Sequence, residues 1–389
     1  MRIVRFETLL MLRYLTAGES HGPALVAIVD GFPAGLKVDS AHLDAELRRR
    51  QGGYGRGARQ TIEHDTVSIV SGVWQESTIG SPICLQIANQ DHKLDRLKEL
   101  PRPRPGHGDL SGAIKYLGSI RGVLERASAR ETAARVAAGA LAQQLLSVFG
   151  IRTVGYVIQI GSLELPAKSA PIEQLRQFRE QSQVYSLCPE RDSEAIQLID
   201  ETKKAGDTLG GLIEVRVEGV PFGLGSHAQW DRKLDARLAA AVMSIQAIKG
   251  VEIGLGFAVA KRFGSQVHDP IHYDPVQKQT AAAGYTRPTN NAGGIEAGMS
   301  NGQPIVVRAA KKPISTLQKP LESIDMQTKK PESASYERSD ICAVPAASVI
   351  VENVVAFEIA AAFCEKFGND SVSEMRQHWD SFMELARQR

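Results

Sequence analysis

The sequence predicts an α+β fold. Strand-like and helix-like segments are intermixed along the 389 residues without a regular strand–helix–strand rhythm, which argues against a doubly wound parallel sheet. With 43% hydrophobic residues the chain can bury a sizeable core, and its length allows either one large domain or two. The four cysteines lie far apart and form no C-x-x-C pair, so we predict neither a disulfide framework nor a metal site, and a reducing compartment fits best.

Apolar runs bounded by turn residues predict the strands. These runs cover residues 25–29, 67–74, 82–87, 151–160 and 211–217. No apolar run reaches the roughly 18 residues expected of a membrane-spanning helix.

Longer segments rich in Ala and Leu predict the helices, at residues 41–50, 124–149, 234–248 and 346–367. Ser40 is a suitable N-cap for the first of them, and Ser128-x-x-Glu131 fits a capping box near the start of the second. An amphipathic tail follows from Ser371. We expect residues 89–108 to form a long loop and the Gly- and Asn-rich residues 270–304 a flexible rim.

Positive charge is concentrated in the first third of the chain. The net charge is only +2, which offers no general attraction to nucleic acid or to an anionic membrane. Residues 45–135, however, contain 15 Lys and Arg against 10 Asp and Glu. Three consecutive arginines, 48–50, precede Q-G-G-Y-G-R-G, which contains Arg56. Glycines let the backbone approach a ligand and arginines match carboxylate or phosphate, so a site for a small polyanion and a solvated helix face both remain open.

A second candidate anion site is E-R-A-S-A-R-E-T-A-A-R, residues 125–135. Unpaired N–H groups at a helix start favour anions, and Arg126 and Ser128 would add charge and a hydroxyl. The alternative is a capped structural helix in which Arg130 and Arg135 form surface pairs with Glu131.

Three further residues could move protons. His21 in G-E-S-H-G and His107 in R-P-G-H-G-D are flanked by glycine, and imidazole titrates near neutrality. Asp340 precedes an apolar helix, where a carboxylate could cap the helix or act as a base. Loop histidines are more often polar surface, and neither histidine has metal-ligand spacing with another.

Taken together, these segments resemble the chorismate synthase family. The matching stretches are G-E-S-H-G-P-A-L-V-A-I-V-D-G-F-P, R-Q-G-G-Y-G-R-G, R-P-G-H-G-D, E-R-A-S-A-R-E-T-A-A-R-V-A-A-G-A-L, G-G-I-E-A-G-M-S-N-G-Q-P-I and R-S-D-I-C-A-V-P-A-A-S, in family order. The resemblance implies a β-α-β sandwich in a single large domain at residues 11–368, with a helical tail at residues 369–389. Residues 1–10 are then an extension before Met11, or alternatively an ordinary first strand.

The resemblance also implies an activity. The family performs a 1,4-anti elimination of phosphate and the C6 proton from 5-enolpyruvylshikimate 3-phosphate, giving chorismate. It requires reduced FMN without net redox change, because the flavin lends an electron transiently. NADPH is a possible electron source, a homotetramer is expected, and an external flavin reductase is a possible partner. We expect no nucleic acid and no membrane as partners.

Site residues follow from the resemblance position by position. His21 is the expected proton donor to the leaving phosphate, His107 would hold or protonate the reduced flavin, and Asp340 would help the flavin accept the C6 proton. Arg50 and Arg56 would bind substrate or NADP. The expected FMN contacts are Arg126, Ala127, Ser128, Gln246, Ala247, Ala297, Lys312, Pro313, Ile314, Ser315, Thr316 and Arg338.

Two departures from the family pattern affect this set. Gln246 stands where relatives often carry Asn, and Ala297 replaces a frequent Gly, so a contact at Ala297 would use the backbone.

Two other classes of function compete with this one. A flavin reductase would consume NADPH without releasing phosphate, but no G-x-G-x-x-G follows a predicted strand. A nucleic-acid-binding module built on the arginine cluster would bind generic RNA or DNA in a salt-dependent manner, which the low net charge disfavours.

Overall fold

A computed structural model describes residues 12–57, 64–337 and 339–389. The possible N-terminal extension and Arg338 lie outside the described residues. The strands are β1 (Arg13–Ala17), β2 (Ala24–Asp30), β3 (Ser68–Ser71), β4 (Val73–Trp74), β5 (Ser77–Thr78), β6 (Ile83–Ala88), β7 (Arg152–Ile160), β8 (Leu163–Glu164), β9 (Gly211–Glu218), β10 (Phe222–Gly225), β11 (Ile248–Ile253), β12 (His272–Tyr273), β13 (Tyr285–Thr286), β14 (Ile295–Glu296), β15 (Met299–Asn301), β16 (Ile305–Lys311), β17 (Glu322–Ile324) and β18 (Pro331–Ser333). The α-helices are α1 (Ser40–Gln51), α2 (Asp109–Tyr116), α3 (Ile120–Ala127), α4 (Thr132–Val148), α5 (Ile172–Gln181), α6 (Asp192–Ala205), α7 (Leu234–Met243), α8 (Val344–Phe367) and α9 (Val372–Ala386).

An antiparallel four-stranded sheet forms near the N-terminus, in the order β1-β2-β6-β3. Its register places Leu25 opposite Ile87 and Val29 opposite Ile83, and all four side chains are buried. Because side chains alternate along a strand, Ile28 points to the other face, where it is exposed. One face of the sheet is therefore apolar and faces the core.

A second antiparallel sheet has the order β11-β16-β9-β7-β8. Ile213, Val215 and Val217 alternate along the central strand β9 and are buried. The strands predicted at residues 151–160 and 211–217 are β7 and β9 of this sheet.

Helices α4 and α8 pack against each other in the core. Helix α4 also contacts β2 and β6 of the first sheet, while α8 contacts β7 and β9 of the second. The helices approach so closely that a Cβ on Gly139 would lie 2.3 Å from the Asn353 carbonyl oxygen. Only glycine fits at that position without moving a backbone. The mixed helix and strand content agrees with the predicted α+β class.

Three predicted local features were wrong. The helix predicted at residues 124–149 is interrupted at Ser128, whose ψ of 140° is extended, so α3 ends before it and α4 begins at Thr132. The Glu131 side chain bonds to Thr16 and Arg135 instead of forming a capping box. Asp39, not Ser40, caps α1 by accepting from two backbone N–H groups.

The helix predicted at residues 234–248 is also shorter than expected. Helix α7 ends at Met243, and Ile248 already belongs to β11. Between them Ala247 adopts a left-handed backbone with φ of 68°.

Helix α8 meets the length and composition of a membrane span, although the sequence indicated no such segment. Its most apolar window is 94% buried inside the protein. Helix α8 is therefore a core element of this fold.

Candidate active site

His21 belongs to a hydrogen-bonded cluster that we call the His21 corner. Its members are Ser20, His21, Arg121 and Glu125. The Glu125 carboxylate accepts a hydrogen bond from the His21 backbone N–H at 2.8 Å, and both of its oxygens lie 3.0 Å from His21 Nδ1. The Glu125 backbone carbonyl accepts from the Ser20 N–H at 2.9 Å. One residue at the end of α3 thus fixes both the backbone and the ring of His21.

The other side of the same loop is also fixed. The His21 carbonyl accepts from the backbone N–H groups of Lys93 and Leu94, and Ser128 Oγ bonds to Ser20 Oγ at 3.1 Å. The extended conformation at Ser128, which interrupts the predicted helix, puts that hydroxyl beside the loop. The break between α3 and α4 is therefore part of the candidate site.

His107 has a different setting, the His107 corner, made of Arg104, His107, Asp109 and Thr316. Its Nδ1 lies 2.5 Å from Asp109 Oδ1. Arg104 forms a bidentate pair with the same carboxylate, at 2.8 and 3.0 Å, and also donates to Thr316 Oγ1 at 3.0 Å. The side chain of Asp109 is fully buried, whereas that of His107 is 20% exposed.

Asp340 does not cap α8. It accepts a hydrogen bond from Arg56 Nη1 and another from the Gly57 backbone N–H, both at 2.7 Å. The N-cap position of α8 is Ala343. The carboxylate is 17% exposed, similar to the 18% of the His21 side chain. The Gly-rich segment before Gly57 is therefore positioned against Asp340, while the capping alternative is wrong.

The segment around Asp340 connects the two corners. Glu337 accepts from Arg121 of the His21 corner at 3.0 Å. Ser339 Oγ donates to the Thr316 carbonyl at 3.3 Å, and Thr316 belongs to the His107 corner. The segment that carries Asp340 thus contacts both corners, and together they form one network of side-chain and backbone contacts.

The three consecutive arginines have three different environments. Arg48 is exposed, as a solvated helix face predicts. Arg49 lies in an ion-pair network with Glu46 and Glu352. Arg50 is buried, donates to Thr132 Oγ1 and to the Ala129 carbonyl, and lies 3.7 Å from Asp65.

Cations are concentrated around Arg50. Burial and the nearby Arg130 lower the pKa of Arg50, and burial lowers the pKa of Lys311 to about 8 despite the neighbouring Asp340. A buried region in which positive groups repel one another favours an anionic ligand. Arg130 itself pairs with the buried Asp65 at 2.7 Å and not with Glu131. Arg135 does pair with Glu131, but Glu131 is buried, so neither arginine forms the alternative surface pair.

Most of the residues predicted to contact FMN lie around this network. The Lys312 N–H donates to the Ala247 carbonyl, the Lys312 ammonium bonds to the Gly106 carbonyl beside His107, and the Ile314 carbonyl accepts from Thr208. Lys312, Pro313, Ile314, Ser315 and Thr316 form the segment directly after β16. Gln246 donates to Glu131, next to Thr132 and Arg50.

The start of the Glu125–Arg135 motif joins the same region. Arg126 donates to the carbonyls of Thr16 and Gly18, which precede the His21 loop. Ala127 lies near the His107 loop, since a Cβ built on Gly108 would be 3.9 Å from the Ala127 Cβ.

Ala297 is the exception among the described residues. It lies in the turn between β14 and β15, where its φ is 50°, and the adjacent Gly298 packs on Lys233. Strand β15 pairs with β14 on one side and with β10 on the other, and not with the segments around His21 and His107. The chain itself does not bring Ala297 together with the other predicted contacts.

Two cavities lie apart from these residues. One, of about 370 Å³, lies between α1, α4 and β7, and Thr153 is among the residues that line it. Arg152 and Arg176, which also line it, share Glu173. The other, of about 390 Å³, is next to His268 and Asp269. Neither includes a residue predicted to act in the site.

Sequence reasoning missed the carboxylates behind the two histidines. Asp109 follows His107 by two residues, so the H-G-D spacing could have indicated the pair. Glu125 is 104 residues from His21, and only the fold brings it there.

Comparison with known proteins gives a consistent result. The family model for chorismate synthase matches residues 12–364. A chorismate synthase of Geobacter metallireducens is 53% identical over 97% of this chain and 100% of its own length, and one of Desulforamulus reducens is 54% identical with the same coverage. A crystal structure of chorismate synthase superposes with a TM-score of 0.80 at 44% identity, covering 97% of this chain and 99% of the other. The chain belongs to the chorismate synthase family.

Proposed function

We propose that this protein converts 5-enolpyruvylshikimate 3-phosphate to chorismate and phosphate. The observation that supports this most is the convergence of His21, His107 and Asp340 beside Arg50, Arg56 and Lys311, because the substrate carries two carboxylates and a phosphate. In the reaction the allylic C–O bond to phosphate and the C6–H bond break, and a new double bond forms. The substrate is neither oxidised nor reduced overall.

The residues fit reduced FMN as the cofactor. Gln246 Oε1 and Arg56 Nε are buried without hydrogen-bond partners among the described residues, so each could bond to a bound group. The segment Lys312–Thr316 supplies backbone groups, hydroxyls and a lysine next to His107. Gln246, Ala247, Arg126, Ala127 and Ser128 would complete this set. Ala297 would join it from another copy of the chain, which agrees with the expected homotetramer.

The chain's own residues have separable tasks in this proposal. His21 delivers a proton to the departing phosphate, and Asp340 assists removal of the C6 proton. His107 orients and protonates the reduced cofactor, while Arg50 and Arg56 neutralise substrate anions. Reduced FMN, when bound, supplies the electron that makes the allylic C–O bond easier to break. Positioned acids and preorganised charge are the main protein contributions to such a step.

The remaining expectations are proposals of the same kind. We infer a β-α-β sandwich in one domain at residues 11–368, supported by the packing of α4 mainly on the first sheet and of α8 on the second, and by a main apolar core to which both sheets contribute. Residues 369–389 form its helical tail. We also propose a cytoplasmic location, with NADPH as a possible electron source directly or through a flavin reductase.

An anaerobic turnover assay tests the function. Protein, substrate and dithionite-reduced FMN should give chorismate and phosphate in equal amounts, and omission of reduced FMN should abolish both. Absence of chorismate under these conditions would refute the proposal. Replacing dithionite by NADPH in a parallel sample shows whether the protein reduces its own flavin; NADPH consumption without phosphate release would support a net redox enzyme instead.

A further inference from the structure

Glu125 is the only described residue that bonds to His21 at both its backbone and its ring through one carboxylate. Its side chain is 1% exposed, so the carboxylate is removed from water and its hydrogen-bonding capacity is directed at its neighbours. Burial raises the pKa of Glu125, but the hydrogen bonds from His21 and the charge of Arg121 outweigh it and the net pKa is lowered. The His21 backbone N–H and the Arg121 guanidinium both face this carboxylate, and each favours its ionised form.

An ionised carboxylate is only a hydrogen-bond acceptor. His21 Nδ1, at 3.0 Å from both oxygens, must carry a proton to bond to it. A neutral His21 ring then has Nε2 as its unprotonated nitrogen, and a charged ring donates from Nε2. Glu125 thus determines which ring nitrogen can exchange a proton with a ligand.

The surrounding charges support an orienting role. Arg121 lies 3.6 Å from the Glu125 carboxylate but donates a hydrogen bond to Glu337 at 3.0 Å. The Glu125 oxygens therefore remain directed at His21. The Ser20 N–H and the Glu125 carbonyl fix the loop one residue earlier. Removal of the carboxylate would leave this backbone contact in place while releasing the ring and the backbone N–H of His21.

We propose that Glu125 is a positioning residue that fixes the tautomer and the orientation of His21 for proton transfer through Nε2. This inference rests on the proposed function, in which His21 delivers a proton. Glu125 itself does not contact the reacting atoms.

Steady-state kinetics of Glu125→Gln provide the test. With reduced FMN under anaerobic conditions, we expect kcat to fall about 100-fold, the lower end for loss of a positioned proton-transfer group, with KM changed less than about threefold. In a His21→Ala background the same substitution should change kcat less than about twofold. A wild-type kcat for Glu125→Gln, or a full additional loss in the double variant, would overturn the proposal.

A matched control separates positioning from general destabilisation. Glu214 is a buried glutamate on β9 of the second sheet, bonded to Tyr156 and Arg308. Glu214→Gln should lower stability without the kcat loss. If the wild-type protein forms no chorismate, the proposed function fails, and the effect of Glu125 on the His21 tautomer is still tested by the next measurement.

A spectroscopic measurement needs no stable variant of Glu125. In protein labelled with ¹⁵N-histidine, the His21 signals are those absent from His21→Ala. Nδ1 should resonate as a protonated nitrogen at pH values where the ring is neutral. A neutral His21 protonated on Nε2 instead would overturn the proposal whether or not the enzyme is active.

Discussion

The His21 corner and the His107 corner achieve the same arrangement by different means. In each, a buried carboxylate faces Nδ1 of a histidine that is about one-fifth exposed. Asp109 reaches His107 from two residues away and is neutralised by bidentate Arg104. Glu125 reaches His21 from a helix 104 residues further along the chain, and its nearest arginine, Arg121, is 3.6 Å away.

This difference separates two tasks. The His107 corner is locally closed, since Arg104 joins Asp109 to Thr316 and so fixes the histidine against the predicted FMN segment. The His21 corner leaves more uncompensated negative charge next to the ring, which suits a residue that must exchange a proton with a departing phosphate. If the tasks are distinct, substitutions in the two corners should differ in their effects on turnover, flavin binding and stability.

The largest expected effect is on turnover. His21→Ala and His107→Ala should each lower kcat by about 100-fold or more, because each removes a proton-transfer group. His107→Ala should also weaken FMN binding, whereas His21→Ala should leave it within about twofold. Anaerobic kinetics and flavin titration measure both, with circular dichroism and sedimentation as controls for fold and assembly. A near wild-type rate in either variant would remove that histidine from the mechanism.

The next largest expected effect is on the free energy of unfolding, which should fall more for Arg104→Ala than for Arg121→Ala. Arg104→Ala leaves the buried Asp109 without its bidentate partner, and breaking a buried pair costs about 3–5 kcal/mol. Arg121→Ala should cost less, about 1–3 kcal/mol, because its contact with Glu125 is longer and Glu337 is partly exposed. Urea unfolding of the three proteins measures these differences in free energy of unfolding. Equal losses would mean that the corners are not held differently.

The smallest expected effect is on the pH dependence of stability. Burial raises the pKa of Asp109, but hydrogen bonds from His107 and Arg104 reverse the shift, so its pKa lies well below the usual range. The pKa of Glu125 is also lowered. A carboxyl whose pKa falls on folding stabilises the protein above its unfolded pKa, about 4 for these groups, and the stabilisation disappears as the pH falls through the folded pKa.

We therefore expect Asp109→Asn and Glu125→Gln to be less stable than wild type at pH 7. The difference should start to shrink for both variants below about pH 4, where the carboxyl of the unfolded wild-type chain takes up its proton while the folded one is still ionised. Unfolding midpoints between pH 7 and pH 3 measure it. A difference that does not depend on pH would show that these carboxylates contribute through shape and not through charge.

Much of the fold could be predicted from single segments. The buried strands β2, β7 and β9 and the helix α8 follow from apolar runs, and the predicted and observed bounds differ by one or two residues. The break at Ser128 could not be predicted in this way. Its flanking residues continue a helical pattern, and the residue that Ser128 contacts in its extended conformation, Ser20, is 108 residues away.

The candidate site, like the fold, could be predicted from the sequence only in part. His21, His107 and Asp340 stand in recognisable motifs, so their candidacy is visible in the sequence. The separate environments of Arg48, Arg49 and Arg50 are not, because they depend on which side of α1 meets Asp65, Thr132 and Glu352. Partners supplied by distant segments become visible only when the chain is folded.

The most direct test of the central claim is to count chorismate formed per reduced FMN oxidised, in a sealed anaerobic reaction started with limiting reduced FMN. We predict many chorismate molecules, each accompanied by one phosphate, while the flavin spectrum stays reduced. One or fewer chorismate molecules per FMN oxidised would contradict an elimination without net redox change.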